Sequence, residues 1–322
     1  MAKEMRSVAA VYFDRFNHRE SELNSPVPSN LELIVVIPSH NEPDLLGSLK
    51  SLKDAVVPIG FSVEVISVIN HGLNAHAEVV NQNEITTIQA NRFALENNSE
   101  SITFKTLEIF DMPPKKAGVG LARKIGMDEA LNRFSKINKD GIIVCFDADS
   151  LCESNYFEAI ISHFKKHPKT PGCSIHFEHP LEGSCHTVKE YNAIISYELH
   201  LRYYKNAQQY TGLPFVFHTI GSSMAVRASA YAKQGGMNKR KAGEDFYFLN
   251  KIIQLGNFTE LNTTTVIPSP RVSDRVPFGT GKAVGEIVSS NQVGMLTYNF
   301  RIFAELKTFV DEVLINNKNI QA

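Results

Sequence analysis

The sequence predicts an α/β fold of three layers, with helices on both faces of a mainly parallel sheet. Three observations lead there. Strand-like and helix-like stretches alternate with short connections from residue 31 onward, which is the grammar of βαβ units and therefore of parallel strands. The stretch Gly141-Ile-Ile-Val-Cys-Phe-Asp-Ala-Asp-Ser150 opens as an uncharged, β-prone run that reads as a strand buried on both faces, and it stops abruptly in two carboxylates. Polar tips also follow the earlier strand candidates, and in open parallel sheets ligands collect outside the carboxyl ends of the strands.

Composition narrows the function classes. Among 322 residues, 43% are hydrophobic and 21% charged, which is ordinary for a globular protein. Thirty-three Lys and Arg against 34 Asp and Glu leave a net charge of −1, so no global field recruits nucleic acid or an acidic membrane. Any anion site must be local. Aliphatic runs such as Ile34-Val-Val-Ile37 are far too short to cross a bilayer, and the charged N-terminus has no apolar signal region. The expectation is a cytoplasmic protein, with peripheral contact to the inner face of a membrane left open. Cys145, Cys152, Cys173 and Cys185 have neither zinc spacing nor a disulfide framework and are expected to be reduced.

Residues 1–24 read as an amphipathic helix with Val8, Val11, Tyr12 and Phe16 at helical spacing, followed by a proline-marked linker to residue 30. Residues 31–37 form the first buried strand, ending in Pro38-Ser-His-Asn-Glu-Pro43. A helix follows with Leu45, Leu46, Leu49 and Leu52, then a second strand over 61–69 in which Glu64 alternates with Val63 and Val65. Its tip is Asn70-His-Gly72. Residues 75–100 are polar and poorly patterned, a helix with loops. A third strand over 102–110 leads to Pro113 and the glycine-containing stretch 117–126, which opens a helix. After the 142–146 strand come a helix over 156–164, a strand over 172–177 and a Tyr-rich helix over 187–210. Strand-like pieces at 215–217 and 223–226, a helix from Glu244 closed by Gly256, a last strand over 263–267 and one or two helices over 285–317 complete the chain. The apolar stripe Val293, Leu296, Phe300, Phe303, Val310 and Val313 reads as a seam against the body rather than a dimer or membrane face. Four segments result: 1–30 an N-terminal helical extension and linker, 31–150 and 151–270 the two halves of the body, and 271–322 a basic loop with a C-terminal helix.

Candidate chemistry sits at the tips. Asp147 and Asp149, one residue apart at a fraying strand end, suit one hard cation such as Mg²⁺ or Mn²⁺, held by carboxylates and substrate phosphates. His176, His179 and His186 offer a third ligand, although loop histidines more often only hydrogen-bond. The glycines of 117–126 lack the Gly-x-Gly-x-x-Gly spacing, and Gly279-Thr-Gly-Lys282 lacks the first glycine and the metal-binding hydroxyl of a P-loop. Arg271, Arg275 and Lys282 can instead neutralise a departing diphosphate. Glu244 and Asp245 open a helix behind the loop 235–241, where acidic residues suit the helix dipole and an Asp can take a proton from a substrate hydroxyl.

Taken in order, Val36-Ile-Pro-Ser-His-Asn-Glu42, Asn70-His-Gly72, Ala117 through Gly126, Asp147-Ala-Asp149, Gly221 through Arg227, Gly235-Gly-Met237 and Glu244-Asp245 resemble the inverting family 2 glycosyltransferases of GT-A type, over residues 31–270. The resemblance implies a GT-A-like α/β/α sandwich with N- and C-terminal helical extensions, in which 31–150 is the nucleotide-binding half and 151–270 the acceptor-binding half. It implies transfer of a single sugar from a nucleoside-diphosphate sugar to a hydroxyl-bearing acceptor: a glycan, a lipid-linked molecule or a small molecule. It implies that Pro38, Asn41 and Glu42 border the nucleotide, that Asn70 lies by the base, and that Arg123 reaches the sugar or phosphate side of the donor. Asp149 would bind Mn²⁺ or Mg²⁺ directly, Asp147 the ribose or the metal, Asp245 would be the base, and Glu244 would hold the acceptor. The Asn70-His71 pair departs from the Asp-Asp or Asp-Asn that the family often has there, and with no Trp the processive Gln-x-x-Arg-Trp motif is absent. A sugar nucleotidyltransferase and a catalytically silent nucleotide-sugar-binding protein are the alternatives, and a homodimer stays open.

Overall fold

The computed structural model describes residues 5–16, 19–273, 279–290 and 294–321, the last six of these as backbone only. It divides into two compact units. The first comprises Met1–Phe177 with Thr219–Pro268, the second Glu178–His218 with Ser269–Ala322.

In the first unit, helix α1 (Met5–Phe16) precedes strand β1 (Leu31–Ser39), helix α2 (Leu45–Asp54), β2 (Ser62–Gly72), α3 (Ala77–Asn97), β3 (Ile102–Met112), α4 (Val119–Lys136) and β4 (Ile142–Cys145). The short β5 (Leu151–Cys152), α5 (Tyr156–Lys166) and β6 (Gly172–Phe177) follow. The second unit takes α6 (Val188–Tyr210), and the chain returns to the first with β7 (Met224–Arg227), α7 (Ala228–Lys233), α8 (Glu244–Ile253) and β8 (Thr259–Ile267). Helices α9 (Thr280–Ser289) and α10 (Phe300–Gln321) belong to the second unit.

All eight strands form one sheet in the order β3-β2-β1-β4-β7-β6-β8-β5. The pairs β1–β2, β2–β3, β1–β4 and β6–β8 are parallel, while β7 runs antiparallel to β4 and β6, and β5 antiparallel to β8. Right-handed crossovers place α2 and α3 on one face and α4 on the other, giving the expected three layers around a mainly parallel sheet. The chain winds outward from β1 to β3 and then returns to β4 on the far side of β1. That reversal makes the β1–β4 junction a topological switch point, where open α/β sheets form their crevice.

The core runs through β1, β2 and β4, which are buried on both faces. Glu64 is therefore not the solvent side of an alternating strand, as its spacing suggests. It lies 1% exposed in β2 and forms a forked ion pair with Nε and Nη2 of the buried Arg133 of α4, whose Nη1 donates to the Ser25 carbonyl and whose Nη2 also donates to the Pro26 carbonyl. Removing one partner of such a buried pair typically costs about 3–5 kcal/mol. The polar stretch 75–100 holds one 21-residue helix between loops. Its inward face carries Asn83, Thr86 and Thr87 beside Ala90 and Phe93, so apolar periodicity could not reveal it. No strand forms at 215–217.

The N-terminal helix turns Met5, Ala9 and Tyr12 inward, leaving Val11 and Phe16 exposed. Tyr12 and Tyr231 both donate to Asp128 Oδ1, and Lys124 Nζ donates to Asp128 Oδ2 at 2.8 Å and to the Tyr12 hydroxyl. This cluster binds α1 to α4 and α7. Gly235 and Gly236 have φ of 75° and 71°, and a Cβ on Gly236 would collide with the Tyr12 hydroxyl, so the Gly-Gly step is where the α1 tyrosine is seated.

The second unit has its own small core, in which Ala193 and Ile194 of α6 bury Val284 of α9. Thr187 and Glu190 form a capping box that starts α6. The C-terminal stretch is two helices, separated by residues that include Gly294 at φ 108°. Of the stripe expected to form a seam, Phe303 is buried near the rings of Tyr203 and Tyr204, whereas Leu296, Phe300 and Val313 are exposed and Val293 lies outside the described residues. Among the described residues no helix is long and apolar enough to cross a membrane.

Candidate functional site

At the switch point the end of β4 is fastened before its carboxylates begin. Phe146 N–H donates to the Val36 carbonyl, Ser150 N–H to the Asp147 carbonyl, and the Ser48 hydroxyl to the Ser150 carbonyl at 2.8 Å. Ala148 and Ser150 are buried, while Asp147 and Asp149 remain partly exposed on either side of Ala148. The expected pair of carboxylates at the strand end is present.

The tips of β1 and β2 are held together from α3. Asn83 Nδ2 donates to the Asn70 carbonyl, Asn41 N–H donates to Asn83 Oδ1, and the Thr86 hydroxyl donates to the Glu42 carbonyl. Asn41 itself takes a left-handed φ of 50°, which Asn tolerates better than most residues. Glu42 is buried and accepts the Asp44 N–H, and Pro38 is half-buried. Asn70 is 3% exposed, and its Nδ2 donates to the carbonyls of Ser39 and Val68. His71 stacks on Phe110 with ring centroids 4.6 Å apart. Asn83, Thr86 and this stack went unseen in the sequence, because side chains that bond to backbone on another element leave no spacing signal.

Helix α4 brings in Arg123, which lies 2% exposed. Its Nη1 donates to Glu244 Oε1 and its Nη2 to Asp147 Oδ1 at 2.7 Å. Glu244 opens α8 and is 3% exposed. Asp245, next to it, accepts N–H bonds from Gly221 and, at 2.7 Å, from Phe246. Thus Asp147 and the Glu244-Asp245 pair, nearly 100 residues apart in sequence, meet around one guanidinium. Glycines make the approach feasible. A Cβ on Gly221 would stand 2.7 Å from Arg123 Nη1, and one on Gly120 would collide with the Arg240 carbonyl. The glycines of α4 serve packing against the loop before α8, in keeping with their failure as a phosphate fingerprint.

Burial raises the Glu244 carboxyl to about 7, with Arg123 pulling it down and Asp245 pushing it up. Asp245 is raised as well, by burial first, against Arg123 and its backbone bonds. Burial opposes the charge of Arg123, but Glu244, Asp147 and Asp245 outweigh it and hold the guanidinium protonated. The four cysteines are free thiols, as expected, and burial pushes Cys145 up to about 12.

Other expected residues belong to the second unit or lie outside the described residues. Arg271 and Lys282 are half-buried members of the second unit, and Arg275 lies outside the described residues. His179 is likewise in the second unit, where its Nδ1 and its N–H meet Glu198 Oε2 at 2.7 and 2.8 Å, while Arg202 holds the other oxygen. Among the described residues no three His, Cys, Asp or Glu side chains gather as a metal set. The donor chemistry that exists is two neighbouring carboxylates. That set fits Mg²⁺ or Mn²⁺, which are commonly held by one or two carboxylates together with substrate phosphates.

A mainly parallel α/β sheet with an acidic strand end at its switch point, faced by an acidic helix start, is the arrangement that the family resemblance implies. Residues 142–288, from β4 to α9, match the family described as Glycosyl transferase family group 2. Over that segment the chain is similar to family 2 glycosyltransferases.

Among solved structures, the chain is similar to S. aureus TarS 1-349 in complex with UDP-GlcNAc, at 12% identity and a TM-score of 0.49 over 80% of this chain and 64% of that one. The same protein alone gives 13% identity and a TM-score of 0.46 over 73% and 60%. Its complex with UDP gives 12% and 0.45 over 74% and 60%. The chain therefore spans less than two thirds of the length of these proteins. No curated protein matches it.

Proposed function

We propose that the protein moves a single sugar from a nucleoside-diphosphate sugar to an acceptor hydroxyl, with inversion at the anomeric carbon. The observation that carries this reading is the meeting of Asp147 with Glu244 and Asp245 at the switch point, through Arg123. Residues of the 31–150 half would take the nucleotide: Pro38, Asn41 and Glu42 along its edge and Asn70 near the base. Asp147 and Asp149 would hold Mn²⁺ or Mg²⁺, which when bound supplies positive charge beside the diphosphate.

Asp245 is the base. Its carboxylate is fixed by the N–H groups of Gly221 and Phe246, which limits its rotation without removing its remaining acceptor capacity. It accepts the hydroxyl proton as the acceptor O–H bond breaks. The acceptor oxygen bonds to the anomeric carbon from the face opposite the leaving group, and the bond to the diphosphate breaks with its electron pair on the diphosphate. Backside displacement of this kind inverts the carbon.

A panel of nucleotide sugars, assayed with hydroxyl acceptors for release of nucleoside diphosphate, tests the proposal. Release of nucleoside diphosphate is expected, and Asp245→Asn should lower kcat by about 10²–10⁴-fold, the usual worth of a positioned base. Pyrophosphate as the product would instead indicate a nucleotidyltransferase, and wild-type kcat in Asp245→Asn would remove Asp245 from the role of base.

A further inference from the structure

Arg123 is deeply buried and reaches two carboxylates with its terminal nitrogens, while its Nε meets no hydrogen-bond partner among the described residues. Nη1 meets Glu244 at the start of α8, and Nη2 meets Asp147 at the end of β4. The surroundings are shaped to the guanidinium, since a side chain at Gly221 would strike its terminal nitrogens and one at Gly120 would press on Glu244. With Asp147 Oδ1 accepting from Arg123, Oδ2 keeps its acceptor capacity. A planar guanidinium holds two carboxylates at a fixed separation and angle, and a lysine ammonium on a flexible stem does not.

We propose that Arg123 is a positioning residue that couples the two sides of the reaction. It sets the direction of Asp147 toward the donor and, through Glu244, the placement of the first turn of α8 that carries Asp245. This inference rests on the transferase reading above. It differs from the direct donor contact that the family resemblance implies, because the hydrogen bonds of both terminal nitrogens are directed to protein carboxylates. Glu244, buried on the same guanidinium, is by the same argument part of the clamp rather than a ligand of the acceptor.

Arg123→Lys, Glu244→Gln and the double variant test this, each checked for folding by circular dichroism. Nucleoside diphosphate binding is measured by calorimetry, and kcat and acceptor KM with the donor found in the panel. A misplaced catalytic group commonly costs about 10²-fold in rate, so each single variant should lose on the order of 10- to 100-fold in kcat. Diphosphate affinity and acceptor KM should stay within about threefold of wild type, and the double variant should be no worse than the worse single, because all three lesions open one clamp.

Three results would overturn the assignment: tenfold weaker diphosphate binding in Arg123→Lys alone, a raised acceptor KM at unchanged kcat in Glu244→Gln, or additive losses in the double variant. If Arg123→Lys fails to fold, Glu244→Gln decides by itself. Lowered kcat at unchanged affinity and KM supports the clamp, and wild-type kcat overturns it. A wild-type chain that binds no nucleoside diphosphate and transfers no sugar overturns the transferase reading itself, an outcome distinct from any of the variant results.

Discussion

In the first turn of α8, Glu244 is buried against Arg123 while Asp245 is partly exposed and anchored by backbone N–H groups. Both carboxyls are raised by burial, which has consequences of known sign. A base must be deprotonated, so kcat/KM should rise with pH along an acid limb lying above the ordinary aspartate range. Glu244 goes from 4.5 to about 7 on folding. A raised carboxyl means that the folded chain holds its proton over a range where the unfolded chain has released it. That contribution to stability is fully present below about pH 4.5 and is lost as pH rises through about 7, an effect on the order of 2 kcal/mol. Melting temperature across this window should therefore fall with pH more steeply in the wild type than in Glu244→Gln, and equal slopes would contradict the assignment. The acidic residues were legible in sequence because each sits at an element boundary with a clear signal. That Arg123, which the resemblance implies as a donor contact, joins them was not, because a helix charge looks solvated until the fold buries it.

Among the elements, α4 does most to connect the structure, for it carries Arg123 to the site, Lys124 and Asp128 to α1, and Arg133 to β2. Its glycines show how little local spacing says about purpose. Gly118 and Gly120 suggest an anion loop by composition, yet Gly120 faces the Arg240 carbonyl and Gly126 faces Val36 and Val68. Gly120→Ala should push the loop before α8 away and disturb the Glu244 contact, costing about 1–3 kcal/mol as overpacking does together with a loss of activity. Gly236→Ala, which combines a left-handed φ with a collision against Tyr12, should destabilise the chain but leave diphosphate binding intact. Chemical denaturation and calorimetry on both variants check the contrast. Helix α3 makes the same point from the other side: its inward Asn83 and Thr86 bond to the strand tips, and a polar inner face hides a helix from any search for apolar period.

For the whole molecule, alternation of strand and helix is a local property and was readable, whereas the strand order β3-β2-β1-β4-β7-β6-β8-β5 depends on which strands pair across long separations. The antiparallel β7, inserted between β4 and β6, has only four residues and no pattern that fixes its neighbours. The assembly of each unit from two separate stretches is equally invisible to a linear reading. What ties sequence to function at this scale is the switch point, where the first half of the sheet reverses direction and β4 ends in Asp147 and Asp149. The central claim is that these two carboxylates recruit diphosphate through a divalent cation. Calorimetric titration of nucleoside diphosphate, with Mn²⁺ and with chelator, into the wild type and Asp149→Asn measures it most directly. The account requires binding that depends on Mn²⁺ in the wild type and loses that dependence in Asp149→Asn, and equal affinity with and without the cation in the wild type would contradict it.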